Sequence, residues 1–242
     1  MTFKRDGFAR LPAFVAQHEL DELRESVDNA LARPLPPGCE RPHNTLAPLR
    51  WDDPIVRGLL TPRRATVVSD ATGGTDLRFI SAYISVKEPR SAALSWHRDW
   101  WCWDHPVSYR PRASQVGVLC YLADTTEANA ALRVVPGSHL RSSGLDRDHT
   151  LQARAGDAVL IDYRLLHSTH PNGSDIRRDA LIVNFTPSWN TLPDDIRAHL
   201  IRHPALPAAG AATRGALLPH FDGTPRDLPL NRVAPSNFAA TG

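Results

Sequence analysis

Residues 158–186 read AVLIDYRLLHSTHPNGSDIRRDALIVNFT, two apolar runs on either side of a polar segment. Pro171, Asn172 and Gly173 lie between the runs, and these residue types favour sharp changes of chain direction. Short apolar runs bounded by such residues are typical of β-strands. The stretch therefore predicts two strands joined by a turn.

Further runs of the same texture precede this stretch, and helical patterns do not separate them. They cover residues 77–86, 93–97, 114–122 and 131–135. Several short strands in succession favour an antiparallel sandwich or barrel. We therefore expect a mainly β, α+β fold, namely a double-stranded β-helix, or cupin-like jelly roll, with its core at residues 77–190.

The segment before this core predicts a strand and a helix. Residues 7–15 indicate a short strand and turn, and residues 18–31 carry apolar side chains at helical spacing. These side chains are Leu20, Leu23, Val27 and Leu31. We expect residues 1–76 to form a helical and loop region whose helices pack on one side of the β core.

Two segments predict irregular structure. Residues 33–54 are rich in proline and polar side chains, and a loop of this length could act as a lid. After a predicted helix at 192–201, an Ala-, Pro- and Gly-rich tail completes a C-terminal region of residues 191–242. We expect the whole chain, residues 1–242, to form one domain.

Composition restricts the class of partner. The chain has 242 residues, of which 42% are hydrophobic and 22% charged, and its formal net charge is +2. Because no block of like charges stands out, we expect neither a nucleic-acid nor a membrane partner, but a small molecule. Three widely spaced cysteines and the absence of a signal-like apolar run near the start favour the cytoplasm.

The segment SWHRDWWCW at residues 95–103 carries the first chemical motif. Residues two apart in a strand share a face, so His97 and Asp99 can meet one metal ion. Two histidines with one carboxylate on one side of an ion form the facial triad of non-haem Fe(II) oxygenases. The motif therefore calls for a second histidine from elsewhere in the chain.

His167 is the preferred third ligand because an apolar, strand-like run leads to it. His170 is its close rival, but it precedes the turn-forming Pro171. His139 follows a Pro-Gly turn signature and is interpreted as structural. Arg177 and Arg178 open the next apolar run, and a buried guanidinium there would match a carboxylate of a dicarboxylate cosubstrate.

Taken together, these residues resemble the phytanoyl-CoA dioxygenase family, over roughly residues 3–205. The resemblance rests on five motifs: DGFARLPAFV at 6–15, the HxD at 97–99, ALRVVPGSHL at 131–140, AGDAVLIDYRLLH at 155–167 and PNGSDIRRDAL at 171–181.

The resemblance implies an oxygenase that uses Fe(II), 2-oxoglutarate and O₂, with ascorbate as a possible supporting reductant. Its metal ligands would be His97, Asp99 and His167. The family's 2-oxoglutarate arginine lies eleven positions after the second histidine, which selects Arg178, and the hydroxyl residue two positions after that histidine is Thr169. The reaction would give succinate and CO₂ and hydroxylate the substrate.

Several residues near the motif are predicted to contact substrate. Trp100, Trp103 and His105 could form the wall of the pocket, and Arg98 replaces the Gln that many family members have inside the HxD. Alternation along a strand should turn Arg98 away from the metal. For the keto-acid end of 2-oxoglutarate, a strand carrying Tyr83, Ser85 and Lys87 offers candidates.

Other reactions and other classes of protein are alternatives to a hydroxylase. Desaturation or ring formation by the same family is an alternative to hydroxylation, whereas the intact Asp99 disfavours halogenation. A jelly-roll zinc hydrolase would use the same ligands without needing Arg178. A non-catalytic metal-binding module is a further alternative. By analogy, the substrate is expected to be an amino-acid derivative or a natural-product intermediate.

Overall fold

The structure of the chain, a computed structural model, describes residues 2–32, 42–140 and 145–202. The helices there are α1 (Phe3–Asp6), α2 (Gln17–Leu31), α3 (Pro54–Leu59), α4 (Pro62–Thr72) and α5 (Asp194–Leu200). The strands are β1 (Phe8–Leu11), β2 (Asn44–Leu49), β3 (Arg78–Lys87), β4 (Leu94–His97), β5 (Val116–Tyr121), β6 (Leu132–Val134), β7 (His149–Leu151), β8 (Ala158–Asp162), β9 (His167–Thr169) and β10 (Arg178–Thr186).

The strands form two sheets. Six strands follow the order β1-β8-β5-β10-β3-β2, and four follow the order β4-β9-β6-β7. Neighbouring strands are antiparallel in both sheets. The two-sheet antiparallel architecture confirms the predicted jelly roll.

The outer face of the six-stranded sheet carries the helices α1 to α4. Alternate residues of β5 and β10, such as Val118 and Val183, belong to the same apolar cluster as the buried side of α2. Leu20 and Val27 of α2 are almost fully buried in it. Burial of one such side chain stabilises the fold by about 1.5–3 kcal/mol relative to exposure, so this contact fixes α2 against the sheet.

The inner face of the same sheet points toward the four-stranded sheet. Tyr121, Val159 and Ile161 of the large sheet and Leu132 and Val134 of the small sheet form a second apolar cluster. Side chains alternate between the two faces of a strand. The strands therefore bury one set of residues under the helices and present the other set to the interior between the sheets.

Each of the six predicted core strands overlaps an observed one, and the predicted helices at 18–31 and 192–201 are present as α2 and α5. The N-terminal region contributes more to the sheet than we predicted. The expected strand at residues 7–15 is β1, and β2 falls within the stretch 33–54 that we expected to be a loop.

The remaining part of that stretch, residues 33–41, lies outside the described residues, as does the expected irregular tail from residue 203 onward. Among the helices of the described ranges, none has the length and apolar character that crossing a membrane requires.

Candidate metal centre

Three predicted ligands lie together between the sheets. His97 ends β4 and stands directly opposite His167, the first residue of β9. The Nε2 atoms of His97 and His167 lie 3.7 and 3.6 Å from the two carboxylate oxygens of Asp99. One donor atom from each residue lies within 4.8 Å of the others, and within the described ranges this is the one such group of three or more.

Backbone contacts orient both imidazole rings toward the same point. The Nδ1 atom of His97 lies 2.7 Å from the carbonyl oxygen of Ser95. The Nδ1 atom of His167 lies 2.9 Å from the carbonyl oxygen of Leu165. A carbonyl accepts, so each Nδ1 carries the proton and each Nε2 keeps its lone pair, which is the arrangement typical of metal-ligating histidines.

Burial differs among the three ligands. His167 is 6% exposed, whereas His97 and Asp99 are more accessible from the cavity side. Burial lowers the pKa of His167, and the Asp99 carboxylate opposes that effect in part. The neutral imidazole, which is the form that binds a metal, is therefore favoured at His167.

A cavity of about 430 Å³ opens beside these ligands. It is lined by all three of them and also by Thr169 and Arg178. A cavity of this size is in the range of small-molecule sites. The structure thus joins the predicted metal ligands and the predicted cosubstrate residues in one space.

Arg178 is buried at 4% exposure and has donors to spare. Its Nη2 donates to the carbonyl oxygen of Ala130 at 3.2 Å, while its Nε has no hydrogen-bond partner among the described residues. Burial lowers the pKa of the guanidinium. An under-satisfied buried cation in a cavity fits an anionic ligand.

Arg177, the sequence neighbour, has a different environment. Its guanidinium lies 2.7 Å from Asp179 and 2.5 Å from Asp28 of α2, at the protein surface. These carboxylates raise its pKa. Arg177 is therefore engaged in ion pairs and does not line the cavity.

Lys87 is a second buried cation at the Arg178 end of the cavity. Its backbone lies opposite that of Arg178 in the ladder between β3 and β10. Lys87 is 1% exposed, and its Nζ donates to the carbonyl oxygen of Ala92 at 2.9 Å. Lys87 lines the cavity, as does Arg178, its partner in the strand ladder. Ser85 also lines the cavity, and Tyr83 is not among the lining residues.

The tryptophans predicted to wall the substrate pocket lie elsewhere. Trp100 and Trp103 are buried in an apolar cluster with Trp189 and Ile196, against α5. The indole nitrogen of Trp100 donates to Ser108 at 2.7 Å. Neither lines the cavity, so the geometry gives their predicted substrate contacts no support.

His105 and Arg98 also point away from the cavity. The Nε2 of His105 lies 3.2 Å from a carboxylate oxygen of Asp195, and its Nδ1 accepts from the backbone of Val107. Arg98 donates from Nε to the carbonyl oxygen of Arg164 at 2.9 Å. The predicted orientation of Arg98 away from the metal is thus observed, whereas its predicted substrate contact lacks support.

The two rival histidines are occupied by other contacts. The Nε2 of His170 lies 2.9 Å from the hydroxyl oxygen of Thr150. The Nε2 of His139 lies 3.2 Å from the carbonyl oxygen of Lys4. Neither belongs to the metal-ligand group.

Several lining residues were not predicted from the sequence, among them Gly117 and Asn184 on strands of the large sheet and Tyr163 directly after β8. A signal was available for Asn184, because it lies an even number of residues after Arg178 in one strand and so shares its face. Asp99 and burial both raise the pKa of Tyr163, with burial the larger cause. The phenol therefore stays protonated and lies near the metal ligands.

Comparison with known proteins gives one family and several relatives. The profile of the family described as Phytanoyl-CoA dioxygenase (PhyH) matches residues 3–180. Dioxygenase FUM3 of Gibberella moniliformis is 35% identical over 106 residues, 42% of this chain but 33% of that protein, so the match spans about a third of its length. L-proline trans-4-hydroxylase of Streptomyces griseoviridis is 23% identical over 84% of this chain and 89% of its own.

Solved structures share the fold. The structure of EvdO2 from Micromonospora carbonacea var. aurantiaca complexed with 2-oxoglutarate superposes with a TM-score of 0.60 at 22% identity. The match covers 76% of this chain and 88% of that one.

Proposed function

The chain belongs to the phytanoyl-CoA dioxygenase family, and on this premise we propose that it is an Fe(II)- and 2-oxoglutarate-dependent oxygenase acting on a small molecule. His97, Asp99 and His167 hold the metal in this proposal, and Arg178 anchors 2-oxoglutarate. The observation that carries it is the presence of the three ligands and a buried, under-satisfied arginine in one cavity.

The donor set fits ferrous iron. Two neutral imidazoles and one carboxylate suit a divalent metal of borderline softness and leave the opposite coordination positions open. Both imidazoles have the required tautomer fixed by backbone carbonyls. When bound, Fe(II) with 2-oxoglutarate and O₂ supplies the oxidation, in which 2-oxoglutarate is converted to succinate and CO₂.

The protein's own part is to bind and orient. Arg178 would grip the distal carboxylate of 2-oxoglutarate, with Thr169 and Lys87 beside it on the cavity wall. Thr169 is held in place because its hydroxyl accepts from the backbone of Leu94 at 3.3 Å. Fixed donors at one end of the dicarboxylate direct its keto-acid end toward the metal ligands.

Substrate would occupy the part of the cavity near Asp99 and Tyr163. We propose hydroxylation as the reaction, with desaturation or ring closure as the alternative outcome, and an amino-acid derivative or natural-product intermediate as the substrate. The similarity to a proline hydroxylase supports a small-molecule substrate.

The buried, unpaired thiols of Cys102 and Cys120 are consistent with a reducing compartment, for which we propose the cytoplasm.

Succinate formation tests the proposed activity. Purified protein with Fe(II), ascorbate and 2-oxoglutarate is incubated with a panel of amino-acid derivatives and natural-product intermediates. We expect at least one compound to stimulate succinate release and to gain the mass of one oxygen atom. Protein that binds Fe(II) but shows no affinity for 2-oxoglutarate would contradict the proposal and favour a metal hydrolase or binding module.

Lys87 gives the cosubstrate site a predicted pH dependence. Burial, with a smaller contribution from the Arg178 charge, lowers the pKa of Lys87 to about 8. The ammonium is therefore protonated below about pH 8 and neutral above it, and only the charged form attracts a carboxylate. We expect the dissociation constant of 2-oxoglutarate, measured by anaerobic calorimetry, to rise as the pH increases through this value.

The Lys87→Met variant is the control for this effect. A charge-assisted hydrogen bond contributes about 1.5–3 kcal/mol, so the variant should bind 2-oxoglutarate at least ~10-fold more weakly at pH 7. In this variant the dissociation constant of 2-oxoglutarate should also no longer rise as the pH increases through about 8. Identical pH profiles for variant and wild type would exclude Lys87 as the titrating group.

A further inference from the structure

The strand ladder that joins the ligand-bearing segments is short and irregular. β4 and β9 pair at Leu94 with Thr169 and at His97 with His167, and the register shifts between these two positions. Asp99 lies beyond the end of β4. Beyond β4, the backbone nitrogen of Trp100 donates to the carbonyl oxygen of Tyr163 at 2.9 Å, so one backbone hydrogen bond ties the segment after Asp99 to the chain before His167.

Arg98, which lies between His97 and Asp99 in the sequence, adds side-chain hydrogen bonds to this connection. Its Nε donates to the carbonyl oxygen of Arg164 at 2.9 Å, and its Nη2 donates to the carbonyl oxygen of Ser138 at 3.4 Å. The guanidinium also lies 5.9 Å from the ring centre of Trp103. Its donors thus reach the segment that leads to His167.

The acceptor at Arg164 belongs to a rigid part of that segment. Arg164 is 2% exposed, and its guanidinium pairs with Asp162 at 2.7 Å. It also donates to the carbonyl oxygens of Ser108 and Arg110. Because these contacts fix the chain three residues before His167, a hydrogen bond from Arg98 ties the HxD segment to a fixed point.

The acceptor at Ser138 is tied to the same ligand. The hydroxyl of Ser138 accepts from the backbone nitrogen of Leu166 at 2.8 Å, directly before His167. Ser138 follows the Pro-Gly turn of the motif VPGSH, to which the proposed function assigns no role. The acceptors at Arg164 and Ser138 are therefore both connected to the chain that presents the third ligand.

Arg98 keeps its charge while it makes these contacts. An arginine side chain stays protonated at neutral pH in proteins, so the guanidinium carries its charge here. A guanidinium presents several donors in a fixed planar arrangement, which a lysine ammonium cannot reproduce. The residue type therefore suits a clamp between two backbone segments.

We propose that Arg98 is a positioning residue that holds Asp99 at its separation from His167, with which His97 is already paired in the ladder, and thereby sets the affinity of the site for its metal. The inference rests on the metal assignment of the proposed function. It assigns Arg98 no contact with substrate, cosubstrate or metal.

Metal binding by Arg98 variants tests the role without any need for a substrate. Apo-protein is titrated anaerobically with Co(II), whose visible absorption reports both affinity and ligand geometry. Replacement of outer-shell partners of metal ligands typically costs ~10–100-fold in metal affinity. We expect this loss for Arg98→Met, together with an altered Co(II) spectrum, and a smaller loss for Arg98→Lys.

Arg24→Met is the matched control. Arg24 is a half-buried arginine of α2 whose Nε and Nη2 donate to the carbonyl oxygen of Leu122, outside the metal-ligand group. Its loss should lower the thermal unfolding midpoint but leave the Co(II) dissociation constant and spectrum as in wild type. General destabilisation is thereby separated from positioning.

The outcomes distinguish the assignment of the metal ligands from the positioning role of Arg98. Wild-type protein that binds no Co(II) would overturn the metal assignment itself. Wild-type protein that binds Co(II), with unchanged affinity and spectrum in Arg98→Met, would overturn the positioning role alone. If Arg98→Met does not fold, Arg98→Leu replaces it, because its apolar side chain cannot donate to the carbonyl oxygens of Arg164 or Ser138 and should show the same loss.

Discussion

Replacement of His167 by alanine is expected to raise the dissociation constant for Fe(II) by more than ~100-fold, because loss of a direct ligand exceeds the usual cost of losing an outer-shell partner. His167 is the buried ligand of the triad, and its Nε2 faces the Asp99 carboxylate at 3.6 Å. The variant leaves one imidazole and one carboxylate, which is too few donors for a stable facial site. Anaerobic titration of the apo-protein with Fe(II) measures the effect.

His170→Ala is the control for this result. His170 is three residues further along the chain, and its ring contacts Thr150 instead of the ligand group. We expect this variant to bind Fe(II) as the wild type does. Weakened binding in His170→Ala with normal binding in His167→Ala would reverse the assignment of the third ligand.

Replacement of Arg178 by alanine is expected to weaken 2-oxoglutarate binding severely while leaving Fe(II) binding intact. Truncation of one partner in a buried, hydrogen-bonded charge pair costs about 2–5 kcal/mol, or at least ~30-fold in the dissociation constant. Arg178 is 4% exposed, so in the variant bulk water cannot solvate the carboxylate of 2-oxoglutarate in place of the lost guanidinium. Calorimetry with 2-oxoglutarate under anaerobic conditions measures the loss.

Arg177→Ala provides a closely matched comparison. Arg177 is the adjacent arginine, but its guanidinium is committed to Asp28 and Asp179 at the surface. We expect it to retain the wild-type affinity for 2-oxoglutarate. An Arg178→Ala protein with unchanged 2-oxoglutarate affinity would show that the anchoring residue had been chosen wrongly.

The sequence predicted the ligand group well because its determinants are local. The HxD spacing and the apolar run before His167 pointed to these residues, although Asp99 lies beyond the end of β4 and His167 begins β9 instead of ending a strand. The structure brings these three residues together as the pattern requires. The strands with long apolar runs, such as β5 and β10, were predictable for the same reason.

Three short or polar strands, β2, β7 and β9, gave no comparable signal, although β6, which also has three residues, was predicted. β7 and β9 have three residues each, and β2 contains Pro48 and lies at the edge of its sheet. Proline is tolerated on an edge strand, so its presence there disguised a strand as a loop. These elements form because partner strands supply the pairing, which a local pattern does not contain.

The substrate wall could not be predicted from proximity in sequence. Trp100 and Trp103 follow the HxD closely, but the chain turns after β4 and buries them against α5. The cavity is instead lined from the inner face of the large sheet, by residues such as Gly117 and Asn184. Gly117 and Asn184 lie close together because their strands are neighbours in the sheet, and local sequence does not determine strand order.

The position of the bound metal tests the central claim most directly. Crystals of the protein grown anaerobically with Fe(II) and 2-oxoglutarate would locate iron through its anomalous scattering. We predict a single peak within bonding distance of the Nε2 atoms of His97 and His167 and of a carboxylate oxygen of Asp99. Iron bound at other residues, or protein that takes up no iron, would contradict the account.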